Sequence, residues 1–93
     1  MAEAAERFVV SGRVQGVWYR AWTVENARAL ALRGWVRNRA DGTVEALVVG
    51  DPAAVEELAR RCHAGPPKAR VTAVARAPAA DDGSTGFEQR ESA

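Results

Sequence analysis

The chain is poor in the side chains that most often do chemistry. Among 93 residues there is one cysteine, Cys62, and one histidine, His63. A lone cysteine cannot form an internal disulfide and, without a second one, supports no metal-ligand pattern. No apolar run is long enough to form a signal-peptide core or to cross a membrane. Excess charge of either sign is also missing: 13 basic and 12 acidic residues leave a formal charge of +1, which is not the profile of a general nucleic-acid binder. A reducing, cytoplasmic setting is the expectation that follows. The length suits one domain over residues 1–93, with no staple needed for stability. Much of the 47% hydrophobic content is alanine, so the working core has to come from Val, Leu, Phe and Trp.

What is present is concentrated in Val10-Ser11-Gly12-Arg13-Val14-Gln15-Gly16-Val17-Trp18-Tyr19-Arg20. Two glycines join an apolar strand to a helical segment, and without Cβ atoms they let an oxyanion approach main-chain N–H groups. A helix beginning near Arg20 would present unpaired N–H groups and the positive end of its dipole. Arg20 adds a planar fork able to grip two phosphate oxygens. On this stretch alone, a structural turn with a solvated arginine fits as well.

The surrounding pattern predicts the architecture. Residues 1–6 offer nothing to bury and are expected to be flexible. Strands are predicted over Arg7–Arg13, Gly34–Arg39, Thr43–Val49 and Ala69–Ala77, with a short last one over Phe87–Glu91. Helices are predicted from about Arg20 to Arg33, closed by Gly34 as a left-handed cap, and after Asp51-Pro52 with a buried stripe of Val55, Leu58, Ala59 and Cys62. Glu56 to Arg60 and Glu57 to Arg61 are spaced for i,i+4 pairs. Asp41-Gly42 marks a hairpin turn. The order βαββαβ is that of a ferredoxin-like α/β (α+β) sandwich: one mostly antiparallel sheet with two helices on one face.

A right-handed crossover in that topology brings Arg20, at the start of the first helix, to the same edge as Asn38, at the end of the second strand. The inventory there is an arginine, a carboxamide and backbone donors, which excludes most covalent mechanisms. It suits water attacking a phosphoryl group whose leaving group is already good. Arg20 and the N–H groups from Gln15 onward would hold the phosphoryl oxygens, and Asn38 would orient the water. A carboxylate needs no acid to leave, so a mixed carboxylic-phosphoric anhydride is the substrate such a site can manage.

These residues resemble the acylphosphatase family. The resemblance is carried by Gly12-Arg13-Val14-Gln15-Gly16-Val17-Trp18-Tyr19-Arg20, Gly34-Trp35-Val36-Arg37-Asn38, Asp41-Gly42-Thr43-Val44-Glu45, Gly50 and Gly65-Pro66-Pro67, and it extends from Phe8 to Arg90. It implies metal-independent hydrolysis of acyl phosphates to carboxylate and phosphate without a cofactor. Arg20 falls on the family's phosphate-binding arginine and Asn38 on its water-orienting asparagine. Gln15, Gly16, Val17, Trp18 and Tyr19 fall on its phosphate-cradling loop. The chain departs from the family in having Trp18-Tyr19 where Phe-Phe or Gly-Phe is frequent. It also has Ala31 where glycine is frequent, and Arg61 where many relatives carry an aromatic.

The expected partner is thus a small acyl phosphate, with no nucleic acid or membrane, and the protein is expected to be a monomer. The alternative of a different class is a non-catalytic phosphate- or carbamoyl-phosphate-binding module. A nucleic-acid-binding module of this architecture would need sheet aromatics that Thr43–Val49 lacks, and a metal carrier would need a Cys-x-x-Cys loop. Trp18, Tyr19 and Trp22 are candidates to shape an acyl pocket, although packing is the commoner use of such residues. The predicted topology carries the end of the second helix, with His63, towards the same edge. A histidine there more often faces the negative end of the dipole, and Cys62 reads as a small buried hydrophobe.

Overall fold

The computed structural model describes Ala2–Ala93. Its elements run β1 (Ala4–Arg13), α1 (Tyr19–Ala29), β2 (Arg33–Asn38), β3 (Val44–Gly50), α2 (Pro52–Cys62), β4 (Arg70–Pro78) and β5 (Phe87–Gln89). The sheet order is β4-β1-β3-β2-β5, antiparallel throughout except for the parallel β2–β5 pair. Both helices cover one face, in the ferredoxin-like α+β arrangement.

Strand alternation decides which residues meet the helices. Phe8 lies opposite Ala46, and Val10 opposite Val44, while Val36 lies opposite the same Ala46 from the other side. Together with Phe87 and the stripe Val55, Leu58, Ala59 and Cys62 they form the core. Every residue of β3 is buried, because its second face is covered too. There Glu45 is held by Arg37 at 2.9 Å and Arg7 at 3.5 Å, and the guanidinium groups of Arg37 and Arg90 lie over the Trp35 ring.

Several local expectations are corrected. Ala4, Ala5 and Glu6 are not a loose start but extend β1, pairing with Gly50, Val49 and Val48; backbone pairing needs no apolar side chain. Met1 lies outside the described residues. Helix α1 stops at Ala29 rather than Arg33, and its left-handed residue is Ala31 at φ 57°, not Gly34. The Leu32 amide donates to the Ala27 carbonyl at 2.9 Å and the Ala31 amide to that of Arg28 at 3.0 Å, which is a Schellman closure with alanine at the glycine position. Gly34 instead serves β2, where a Cβ would fall 1.9 Å from the Leu47 carbonyl oxygen.

On α2, Asp51 caps the N-terminus by accepting from the Ala53 amide at 2.8 Å. Glu57 pairs with both Arg60 and Arg61. Glu56, expected on Arg60, reaches Arg76 of β4 at 2.9 Å. Arg61 also donates to Asn26 Oδ1 at 3.0 Å, tying the two helices together with polar contacts.

Candidate active site

The loop between β1 and α1 is fixed from inside by apolar side chains. Val14 and Val17 are buried in the core, as is Tyr19, whose hydroxyl donates to the Cys62 carbonyl oxygen at 2.6 Å. Burial first, and Cys62 beside it, push the Tyr19 phenol well above its ordinary range, so it stays protonated. Burial likewise pushes the Cys62 thiol up to about 11, which leaves it a neutral part of the core. With their side chains committed inward, Val17 and Tyr19 can meet an anion only through their amides.

The glycines of this loop have separate tasks. Gly12 sits at a register shift between β1 and β4, and a Cβ there would fall 2.1 Å from the Arg70 carbonyl oxygen. Its missing side chain admits a neighbouring strand rather than an anion, which corrects the reading of both glycines as parts of one cradle. Gly16, at φ 73° with nothing within 4 Å of a Cβ, has the open left-handed geometry that a cradle requires.

At the start of α1 the N-cap is Trp18, at φ 68° and ψ 18°, with no side-chain cap and no acidic residue in the first turn. The amides of Gly16 through Arg20 donate to no acceptor among the described residues. Arg20 likewise has no ion pair or hydrogen bond among them, whereas Arg7, Arg33, Arg37, Arg61 and Arg76 all have carboxylate partners. Unpaired N–H groups, a helix dipole and a free guanidinium converge on one spot, and such a spot favours an anion.

Asn38 meets them from β2. It is the last residue of the strand and lies two beyond Val36, so it shares the helix-covered face and sits opposite Val44. Its Oδ1 is the one buried side-chain polar atom without a partner among the described residues. A cavity of about 380 Å³ is lined by Gly16, Trp18, Tyr19, Arg20 and Asn38, and by Gln89 of β5. The structure thus brings Arg20 and Asn38 to one cavity, as the topology predicts.

Gln15, expected to offer its amide to the anion, also uses its side chain. Its Nε2 donates to the carbonyl oxygens of Arg39 at 2.8 Å and Thr43 at 2.9 Å, so its side chain braces the β2–β3 turn. Trp22 packs against the core with its ring 5.4 Å from that of Tyr19, and of the three aromatic candidates only Trp18 stands free. His63 caps the end of α2 and is not part of the cavity wall. Gln89 is the cavity residue that sequence reasoning missed. Nothing in its neighbourhood of the chain marks it, because only the parallel β2–β5 pairing brings it beside Val36 and Asn38.

The family model described as Acylphosphatase matches residues 6–89. The chain is 58% identical over 83 residues to a protein of Rhodospirillum rubrum named acylphosphatase, covering 89% of this chain and 91% of that one. It is 57% identical over 86 residues to the acylphosphatase of Acidiphilium cryptum, covering 92% and 94%. Among solved structures, an acylphosphatase from Coxiella burnetii superposes with a TM-score of 0.92 at 32% identity, covering 96% of this chain and 94% of that one.

Proposed function

The chain belongs to the acylphosphatase family and hydrolyses acyl phosphates, and we propose that Arg20, Asn38 and the amides from Gln15 to Tyr19 carry out that reaction. The observation that supports this most strongly is the buried, unpartnered Oδ1 of Asn38 on the wall of the cavity it shares with unpaired Arg20. A buried acceptor without a partner costs about 1–3 kcal/mol, and it is retained where it has work to do.

In this reading the loop amides and Arg20 hold the three phosphoryl oxygens. Asn38 accepts a hydrogen bond from water and directs its lone pair at phosphorus. A new P–O bond forms, the bond from phosphorus to the acyl oxygen breaks, and the carboxylate departs without needing a proton. The water's proton is released to solvent. Charge gathering on the phosphoryl oxygens in the transition state meets donors already in position, which is where the rate enhancement arises. No step calls on a metal.

The alternative of a non-catalytic binding module is not favoured: the named acylphosphatases match over 91% and 94% of their own lengths, so the likeness is to whole small proteins. We take residues 1–93 as one acylphosphatase-like domain that works as a monomer in the cytoplasm on a small acyl phosphate, with no nucleic-acid or membrane partner. Among the described residues no helix is long and apolar enough to cross a membrane.

Arg20→Lys tests the clamp. A point ammonium cannot reproduce the bidentate fork, so kcat/KM for an aryl acyl phosphate should fall about a hundredfold and inhibition by inorganic phosphate should weaken. Near-normal hydrolysis by this variant would remove Arg20 from the role.

A further inference from the structure

The three tryptophans are used differently. Trp22 packs against the core, and Trp35 lies on the far face of the sheet beneath Arg37 and Arg90. Trp18 does neither. It is 79% exposed and is the only large exposed hydrophobic residue among those described, yet it is part of the wall of the cavity that holds Arg20 and Asn38. Its backbone is left-handed, at φ 68°, a region that bulky L residues rarely adopt.

Neither property helps the fold. An exposed indole contributes no burial, and a glycine or asparagine would take that backbone conformation with less strain. Strain of this kind persists where surrounding structure enforces it, and it gathers at functional sites. Here the Trp18 carbonyl accepts the first hydrogen bond of α1, from the Trp22 amide at 3.0 Å, and the next residue, Tyr19, is buried, so the indole is left at the cavity rim.

Gln89 marks the side of the cavity next to Asn38. In the parallel pairing it lies opposite Val36, two residues before Asn38 and on the same sheet face, and its amide has no partner among the described residues. With the phosphoryl group on Arg20 and the loop and the attacking water on Asn38, the acyl oxygen leaves in line on the side away from Asn38 and Gln89, and the exposed indole of Trp18 is the apolar cavity wall free to meet the acyl group.

We propose that Trp18 is the specificity-determining residue for the acyl group, its indole stacking on flat apolar acyl chains so that aryl acyl phosphates are preferred over short aliphatic ones. This rests on the assignment of Arg20 and Asn38 above. Stacking on an exposed indole sets the expected preference at about tenfold.

The test uses hydrolysis and binding separately. kcat/KM is measured for benzoyl phosphate and acetyl phosphate, and Kd by titration for the unreactive analogues benzoylphosphonate and acetylphosphonate. The proteins compared are the natural one, Trp18→Ala, Trp18→Gly and Trp18→Phe. The benzoyl preference should fall about tenfold in Trp18→Ala and in Trp18→Gly, which keeps the amide and removes the strain, and should largely return in Trp18→Phe. An unchanged preference in the Ala and Gly variants, in either measurement, overturns the proposal. If the natural protein hydrolyses neither substrate, the catalytic assignment fails, and the phosphonate preference still decides the role of Trp18.

Discussion

Gln15 Nε2 lies 2.8 Å from the Arg39 carbonyl oxygen and 2.9 Å from that of Thr43, so a side chain of the anion loop holds both ends of the turn that follows Asn38. Arg39 and Thr43 already pair with each other, through the Arg39 amide and the Thr43 carbonyl at 2.9 Å. Gln15 therefore joins the two halves of the site, the cradle and the strand end that carries Asn38. Gln15→Ala should lower kcat about tenfold with little change in the phosphate inhibition constant, at a cost of about 1 kcal/mol in stability. Gln15→Glu sets a carboxylate against two carbonyls, and its activity relative to the natural protein should recover as pH falls and the carboxyl becomes a donor. Initial rates across pH check both; a loss confined to phosphate affinity would count against the bracing role.

The two loop glycines should fail in different ways. In Gly12→Ala the new methyl would meet the Arg70 carbonyl oxygen at 2.1 Å and the Thr72 amide nitrogen at 2.8 Å, so β1 and β4 would have to part. A loss of roughly 3 kcal/mol is expected, seen as a Tm lower by on the order of 15 °C. Gly16→Val meets no neighbour but forces a branched residue to φ 73°. The fold should survive with a loss of about 1–2 kcal/mol, while inhibition by phosphate weakens about tenfold. Thermal melts and phosphate inhibition constants separate the two, and unaltered phosphate inhibition in Gly16→Val would contradict the cradle.

Ala31 occupies the left-handed position of the Schellman closure at φ 57°. Ala31→Gly removes the Cβ that makes this conformation costly and should stabilise the protein by about 0.5–1 kcal/mol, despite the greater freedom of the unfolded glycine. Denaturant melts read it directly; a less stable variant would mean that the alanine methyl packs better than its backbone suffers.

The periodicity of the chain made much of this legible. The stripe on α2, the alternation of β2 and the Asp-Gly turn are local signals, and each led to the right element. Topology alone then brought Arg20 to the edge of Asn38. The end of α1 is not legible in the same way, because Gly34 is a plausible cap by type, while the residue that turns the chain is an alanine whose strain is visible only in its backbone angles. Gly12 and Gly16 look alike in sequence, and only the approach of β4 distinguishes them. Gln89 was illegible for a related reason: parallel pairing between β2 and β5 is a long-range choice that no short window records.

In the proposed mechanism Asn38 presents its free Oδ1 to the attacking water while Arg20 and the loop hold the phosphoryl group. The most direct measurement is hydrolysis of benzoyl phosphate with a metal chelator present, by the natural protein and by Asn38→Ala, alongside inhibition by inorganic phosphate. Turnover should be insensitive to the chelator and should fall by about a hundredfold or more in Asn38→Ala, with the phosphate inhibition constant nearly unchanged. Turnover in Asn38→Ala within a fewfold of the natural protein would contradict that mechanism and return Asn38 to an ordinary strand end.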